Sequence, residues 1–310
     1  MFGLKKRKTE TQLSESKYGI VQRKDEKCGL FSYFITLTGG INYCLEHDLI
    51  PIIDMASYKN MYQGDDATLN SWELFFEQPC NIGLSDASEG REYVDCNKIP
   101  AEKRPNLSMD FVTNQNLQNY WRSLCRKYIR LNSKTKQYVD QYISKYLPND
   151  KARKTVGVLC RGTDYVALRP PGHPVQPDAD IVIDRVKEVL EQYNCIYVFL
   201  ATEDEEICQR FLSEFGTKLI VPKVSRYLNT GDKYLADINS KMEYTEIYDK
   251  TRDYLASIYA LSKCNYLVAG RTSGSISALI LSEGYEYSYM WNLGKYGVDD
   301  EDILNKHKFY

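Results

Sequence analysis

Histidine is scarce in this chain. Its three (His47, His173, His307) are too far apart for the spacings of a Cys/His metal centre. None of its nine cysteines forms a Cys-x-x-Cys pair, and several, such as Cys160 and Cys195, sit inside apolar runs as small core residues. Free thiols in an odd number point to a reducing cytosol. No apolar run approaches the roughly 20 residues needed to span a bilayer. An excess of positive charge is also missing: 40 basic against 42 acidic residues give a net charge of −2, which argues against nucleic acid as a partner. There is no Walker A loop and no Gly-x-Gly-x-x-Gly turn, so triphosphate chemistry and hydride transfer lose support. Met1–Lys8 carries charge with no apolar stretch behind it, unlike a secretory signal. Its Lys5–Lys8 cluster reads as a solvated tail, with peripheral attraction to an anionic membrane face as the alternative.

What is present is an ordinary globular composition, 43% apolar and 26% charged over 310 residues. At about 150 residues per domain the length suggests two. After a polar opening, Leu30, Phe31, Phe34, Leu37, Ile41 and Leu45 trace one apolar helix face. Ile50–Asp54 reads as a short buried strand ending in an acid. Asn70–Glu77 looks like a short capped helix, and two helical stripes follow from Leu117 and from Tyr138. At Leu147–Lys151 a helical pattern stops at a proline and charges follow, so the expected domains are 1–150 and 151–310. Beyond that point buried runs (Thr155–Cys160, Cys195–Ala201, Lys218–Val221, Asn265–Val268, Tyr285–Trp291) alternate with helical stretches. That alternation predicts an α/β fold with a parallel sheet covered on both faces. Ligands of such sheets bind beyond the carboxyl ends of the strands, and the residues there are the candidates.

After the first of these strands comes Arg161-Gly-Thr-Asp164-Tyr165. The planar fork of an arginine can hold a phosphate there, and Asp164 can orient the arginine, accept from a sugar hydroxyl or simply pin the loop. After the second come Thr202, Glu203 and Asp204, whose carboxylates suit a ribose, a base edge or the first turn of the next helix. After the fourth, Ala269-Gly-Arg271-Thr272-Ser273-Gly274-Ser275 opens a helix whose free N–H groups and hydroxyls can cradle an anion, with Ser273 as its cap. A stiff loop, Leu168–Pro177, carries four prolines and His173, a group suited to proton transfer near neutrality. Asp178-Ala-Asp180 has the form of a metal-binding Asp-x-Asp but reads better as a helix cap.

Val156–Tyr165 resembles the H-x-R-x-x-D strand and loop of the fucosyltransferase superfamily, which comprises α1,2-, α1,6- and protein O-fucosyltransferases. Val198–Asp204 is similar to the second motif of that family and Leu267–Ser275 to its serine-containing third. The match covers mainly 155–290, with support from Gly29–Ser32. The resemblance implies a GT-B fold: two Rossmann-type domains with parallel sheets facing across a cleft, the nucleotide sugar on the C-terminal domain and the acceptor on the other. It also implies GDP-fucose as donor, a glycan acceptor and no metal. By position Arg161 would bind the β-phosphate, and Ser273 to Ser275 would lie along the diphosphate. Leu159 stands where the pattern has His. Tyr165 stands where the α1,6 branch has Lys, and no acid follows before Asp178, so the catalytic residues of that branch are not carried over.

The expected reaction is inverting sugar transfer in bacterial-type polysaccharide or glycoconjugate assembly. Fixed donors would stabilise the leaving diphosphate, and Asp164 or His173 would take the acceptor proton. A nucleotide-sugar-binding module without turnover and a polysaccharide pyruvyl transferase-like enzyme are the alternatives. The oligomeric state is not legible.

Overall fold

The computed structural model describes residues 17–298 apart from 65, 67, 88, 149–151, 229 and 232. Two parallel sheets organise it. In the first, β1 (Tyr18–Gln22) lies between β2 (Ile50–Ile53) and β3 (Arg91–Asp95). The long helix α1 (Leu30–Glu46) packs along it. The polar opening expected from the sequence thus contains the central strand. Only Ile20 and Val21 of β1 are strongly apolar, too short a run to announce a strand beside so many charges. Gly19 lets α1 approach closely, since a Cβ there would come within 2.3 Å of Cys44 Sγ. β3 was equally illegible, because it is an exposed edge whose Tyr93 remains 63% accessible.

The second sheet has the order β6 (Leu219–Ile220), β5 (Tyr197–Ala201), β4 (Thr155–Leu159), β7 (Tyr266–Ala269), β8 (Tyr287–Met290), all parallel. Every residue of β4 and β7 is buried, as continuous apolar runs require. The chain steps outward from β4 through α6 (Ala179–Gln192) to β5 and through α7 (Glu205–Phe215) to β6. It then returns through α9 (Tyr244–Leu261) to β7 on the other side of β4. This reversal makes the gap between β4 and β7 the topological switch point, where such sheets open a crevice at their carboxyl ends.

Three further helices lie between the sheets in sequence: α2 (Met109–Thr113), α3 (Gln115–Tyr128) and α4 (Ser133–Tyr146). Although they precede the expected boundary, α3 packs on α10 (Ser273–Leu281) and α4 on α9. The two short helices α5 (Thr163–Leu168) and α8 (Leu235–Asn239) flank the crevice. One apolar core is consequently continuous across both halves, joining Phe31, Phe34 and Trp121 to Leu255, Ile276 and Leu279. Of the expected boundary at Leu147–Lys151, residues 149–151, like the Lys5–Lys8 cluster, lie outside the described residues. Among the described residues no helix is long and apolar enough to cross a membrane.

Candidate active site

The register Leu159↔Ala269 brings two loops together at the switch point, and Gly270 N donates to Leu159 O across it (3.2 Å). Arg161 and Arg271 stand two residues beyond these paired positions. Their surroundings differ. Arg161 Nη2 donates to Asp164 Oδ1 (3.1 Å), and its Nε lies 3.9 Å from Glu203 Oε1. Its guanidinium also stacks on the Tyr165 ring, 4.1 Å from the centroid. The side chain keeps 23% of its surface open, so it can still reach a ligand. Burial works against its charge, but Glu203 and Asp164 outweigh burial and hold the guanidinium charged above its ordinary value.

Asp164 is 3% exposed. Besides Arg161 it accepts from Leu235 N at the start of α8 (3.0 Å) and from Thr163 Oγ1 (3.3 Å). Both carboxylate oxygens are occupied, so it orients the arginine and anchors α8. Thr163 has φ of +48°, a left-handed conformation that is strained for a β-branched residue. Two acids hold it there: Glu203 Oε1 accepts from Thr163 Oγ1 (3.1 Å), and Asp204 Oδ2 accepts from Thr163 N (2.9 Å). Gly162 N donates to the same Glu203 oxygen (3.1 Å), and a Cβ on Gly162 would meet Asp204 Oδ2 at 2.2 Å. Asp204 also caps α7 through Ile207 N (3.0 Å), while Thr202 Oγ1 accepts from Asp204 N (3.2 Å). Thr202, Glu203 and Asp204 thus shape the Arg161 loop from below. Burial pushes the Glu203 carboxyl up from the ordinary value, with Arg161 opposing.

Across the switch point α10 begins with Thr272 as its cap, one residue before the Ser273 expected from the sequence. Thr272 Oγ1 accepts from Ser275 N (3.2 Å), and Ser275 Oγ accepts from Thr272 N (2.9 Å), a capping box built from two hydroxyls. Ser275 is fully buried in that box and donates to Gly270 O (2.7 Å). Ser273 is partly open, and the Ser273 and Gly274 N–H groups belong to the unpaired first turn of a nine-residue helix. Arg271 turns elsewhere. It is 4% exposed, donates to Leu107 O (3.1 Å), Asn292 Oδ1 (3.1 Å) and Gly294 O (3.3 Å), and straps the two halves together.

His173 comes next to Arg161 through Tyr165, whose hydroxyl is 3.0 Å from His173 Nδ1. Burial and the Arg161 charge lower its pKa below the ordinary 6.5, favouring the neutral ring. Asp178 stands at the cap position of α6, and Asp180 pairs with Arg210. Among the described residues no three His, Cys, Asp or Glu side chains are placed to hold a metal ion. A surface cavity of about 420 Å³ between Lys187, Cys195 and Lys218 lies at the opposite, amino-terminal edge of the sheet.

Two residues of the site escaped sequence reasoning. Tyr165 joins Arg161 to His173. Tyr254, in the middle of α9, joins the two halves: its ring meets Phe31 of α1 edge-on at 5.3 Å, and its hydroxyl would lie 2.2 Å from a Cβ on Gly274. Nothing in the α9 pattern distinguishes Tyr254 from its neighbouring tyrosines.

No family model and no curated protein matches the chain. Solved structures do. Fucosyltransferase NodZ from Bradyrhizobium superposes with a TM-score of 0.52 at 13% identity, over 91% of this chain and 97% of that one. A mutant FUT1 of Arabidopsis thaliana in complex with GDP gives a TM-score of 0.50 at 12% identity, over 90% and 73%. At such identity the likeness establishes the fold: the chain has the GT-B-like α/β architecture of these proteins, with two parallel sheets.

Proposed function

We propose that this GT-B-like chain is a glycosyltransferase that moves a sugar, fucose from GDP-fucose, to a glycan acceptor with inversion and without a metal. The observation that carries the reading is the Arg161 loop. A partly open guanidinium is held by Asp164 and Glu203 at the switch point, and the loop after the paired strand β7 leads into the unpaired N–H groups of Ser273 and Gly274. Two fixed sources of positive potential facing one crevice suit a diphosphate. The similar solved structures are fucosyltransferases, one of them in complex with GDP.

In this reading the donor lies across the end of β4 with its diphosphate between Arg161 and the start of α10. Negative charge grows on the diphosphate as the glycosidic bond breaks, so donors fixed beforehand favour the transition state over the ground state. The acceptor hydroxyl attacks from the side of the first sheet's half. Asp164 is fully engaged, which leaves His173, neutral at pH 7 and exposed, to take the acceptor proton. Bacterial-type polysaccharide or glycoconjugate assembly in the cytoplasm is the setting we propose.

Thermal shift with GDP, UDP, CMP and phosphoenolpyruvate tests the donor. GDP at 100 times its dissociation constant stabilises by about 2.7 kcal/mol. A response to phosphoenolpyruvate alone would overturn the reading. Transfer from GDP-fucose should persist in excess EDTA; loss on chelation with recovery in manganese would refute metal independence.

A further inference from the structure

The first sheet also has carboxyl strand ends, and these lie in the half that the proposed function gives to the acceptor. Arg23 follows β1, and its guanidinium lies along α1: Nη1 donates to Ser32 O (2.7 Å), Ser32 Oγ (2.8 Å) and Thr36 Oγ1 (3.3 Å), while Nη2 meets Asp25 Oδ2 at 3.3 Å. One turn further along the same helix face, Gly39 receives Arg104. A Cβ on Gly39 would come within 2.5 Å of Arg104 Cβ and 3.6 Å of its Cδ, so the arginine stem runs directly over the helix backbone. Arg104 is built into place rather than waving in solvent.

Its guanidinium has no ion pair and no hydrogen bond among the described residues, and its Nε is buried without a partner. Burial and the neighbouring Arg23 both weaken its charge. The acids at the other strand ends of this sheet are engaged elsewhere. Asp54, at the end of β2, accepts from Gln22 Nε2 (2.6 Å) and from Ala56 N and Ser57 N (both 2.9 Å). Asp95, at the end of β3, accepts from Asn97 N (3.0 Å) and faces Lys98 at 4.0 Å. The Tyr58 hydroxyl is buried near the Arg23 backbone without a hydrogen bond of good geometry.

A half-buried arginine whose buried Nε is unpaired, set beside a second arginine, is unfavourable unless an anion completes it. Three residues further on, Leu107 O accepts from Arg271 Nη1 (3.1 Å), which ties this loop to the start of α10 in the donor half. We infer that Arg104, with Arg23 and the Tyr58 hydroxyl, binds an anionic oxygen group, phosphate or carboxylate, carried by the acceptor. This rests on the transferase reading for the word acceptor, but the anion site itself does not.

The full chain, saturated with GDP to occupy the donor site, is titrated by calorimetry with inorganic phosphate and separately with glucuronate, at constant ionic strength in chloride. Wild type should bind at least one of the two, and whichever binds identifies the group. Arg104→Met keeps the apolar stem over Gly39 and removes the charge. It should weaken that binding at least tenfold, leave GDP affinity unchanged and melt no lower than wild type, because no protein partner is lost. Binding of neither probe, or binding that Arg104→Met leaves intact, would overturn the site. Anion binding that depends on Arg104 in a protein that transfers nothing from GDP-fucose would keep the site and remove the transferase reading; transfer without anion binding would do the reverse.

Discussion

At Arg161 one guanidinium serves two masters, a carboxylate that positions it and a ligand that would use it. Asp164 holds one nitrogen and Glu203 stands near another, while the open face looks into the crevice. Lysine preserves charge but cannot meet both demands, so Arg161→Lys should lose at least tenfold in turnover with GDP-fucose. Arg161→Ala should lose about 10²–10³, the effect of removing one oxyanion donor. It should also melt lower, since Asp164 is left buried without its counter-charge. Steady-state kinetics with melting curves checks both, and near-wild-type turnover in either variant would refute the assignment. His173 supplies a pH test. Its lowered pKa means that the fold favours the neutral ring, so any stability tied to it is present above 6.5 and fades as pH falls through the lower folded value. A base with that pKa puts the acid limb of the kcat profile below pH 6.5. His173→Ala should abolish that limb and reduce kcat by about 10²-fold. An unchanged profile would remove His173 from the chemistry.

At the scale of elements, the start of α10 depends on how closely α9 approaches it. Gly274 is required because the Tyr254 hydroxyl occupies the place of its Cβ, with Ile258 Cδ1 at 3.1 Å. Gly274→Ala should therefore destabilise by about 1–3 kcal/mol through overpacking. In a Tyr254→Phe background, with the hydroxyl gone, the same change should cost clearly less. A double-mutant cycle from urea denaturation measures the difference, and additive effects would show that α9 and α10 do not meet as described. The local signals around this element were partly legible. The Gly/Ser-rich run announces a helix start, and hydroxyl caps are a matter of neighbours in sequence. Which hydroxyl turns inward was not legible, because Thr272 and Ser275 close on each other only once β7 and Gly270 fix the entry angle.

For the whole molecule, the continuous core has a consequence for unfolding. α3 and α4 belong to the first 150 residues but bury their faces on α10 and α9. Arg122 of α3 donates to Leu279 O of α10 (2.9 Å), and Tyr142 of α4 bonds Ser257 of α9 (2.8 Å). Two separately folding halves at 1–150 and 151–310 would each expose this surface. The chain should therefore unfold in urea in one transition, with far-UV circular dichroism and tryptophan fluorescence superimposing. A fragment of residues 1–150 should lack a cooperative transition. Two resolved transitions, or a cooperatively folded fragment, would show instead that the two halves are independent.

Whatever depends on a single segment was available from the order of residues alone. The buried central runs of the second sheet, the helices between them and the turn after Cys160 follow from periodicity and composition, which report how one segment is exposed. The edge strands at Leu219–Ile220 and Tyr287–Met290, by contrast, are only partly buried, because no described strand pairs on their outer side. That logic failed at β1, whose two strongly apolar residues are too few to signal a strand, and at β3, which is scarcely buried. Tertiary structure alone decided which strand ends face each other. The return from β6 to β7 sets the loop that leads to Ser273 beside the loop of Arg161, although more than a hundred residues separate them. It also decided that Arg271 straps a loop while Arg161 faces the crevice, that Tyr254 crosses to Phe31, and that Arg104 rests on Gly39 without a partner. Burial patterns are written locally, whereas the meeting of two side chains depends on strand order and on the close approaches that particular glycines permit.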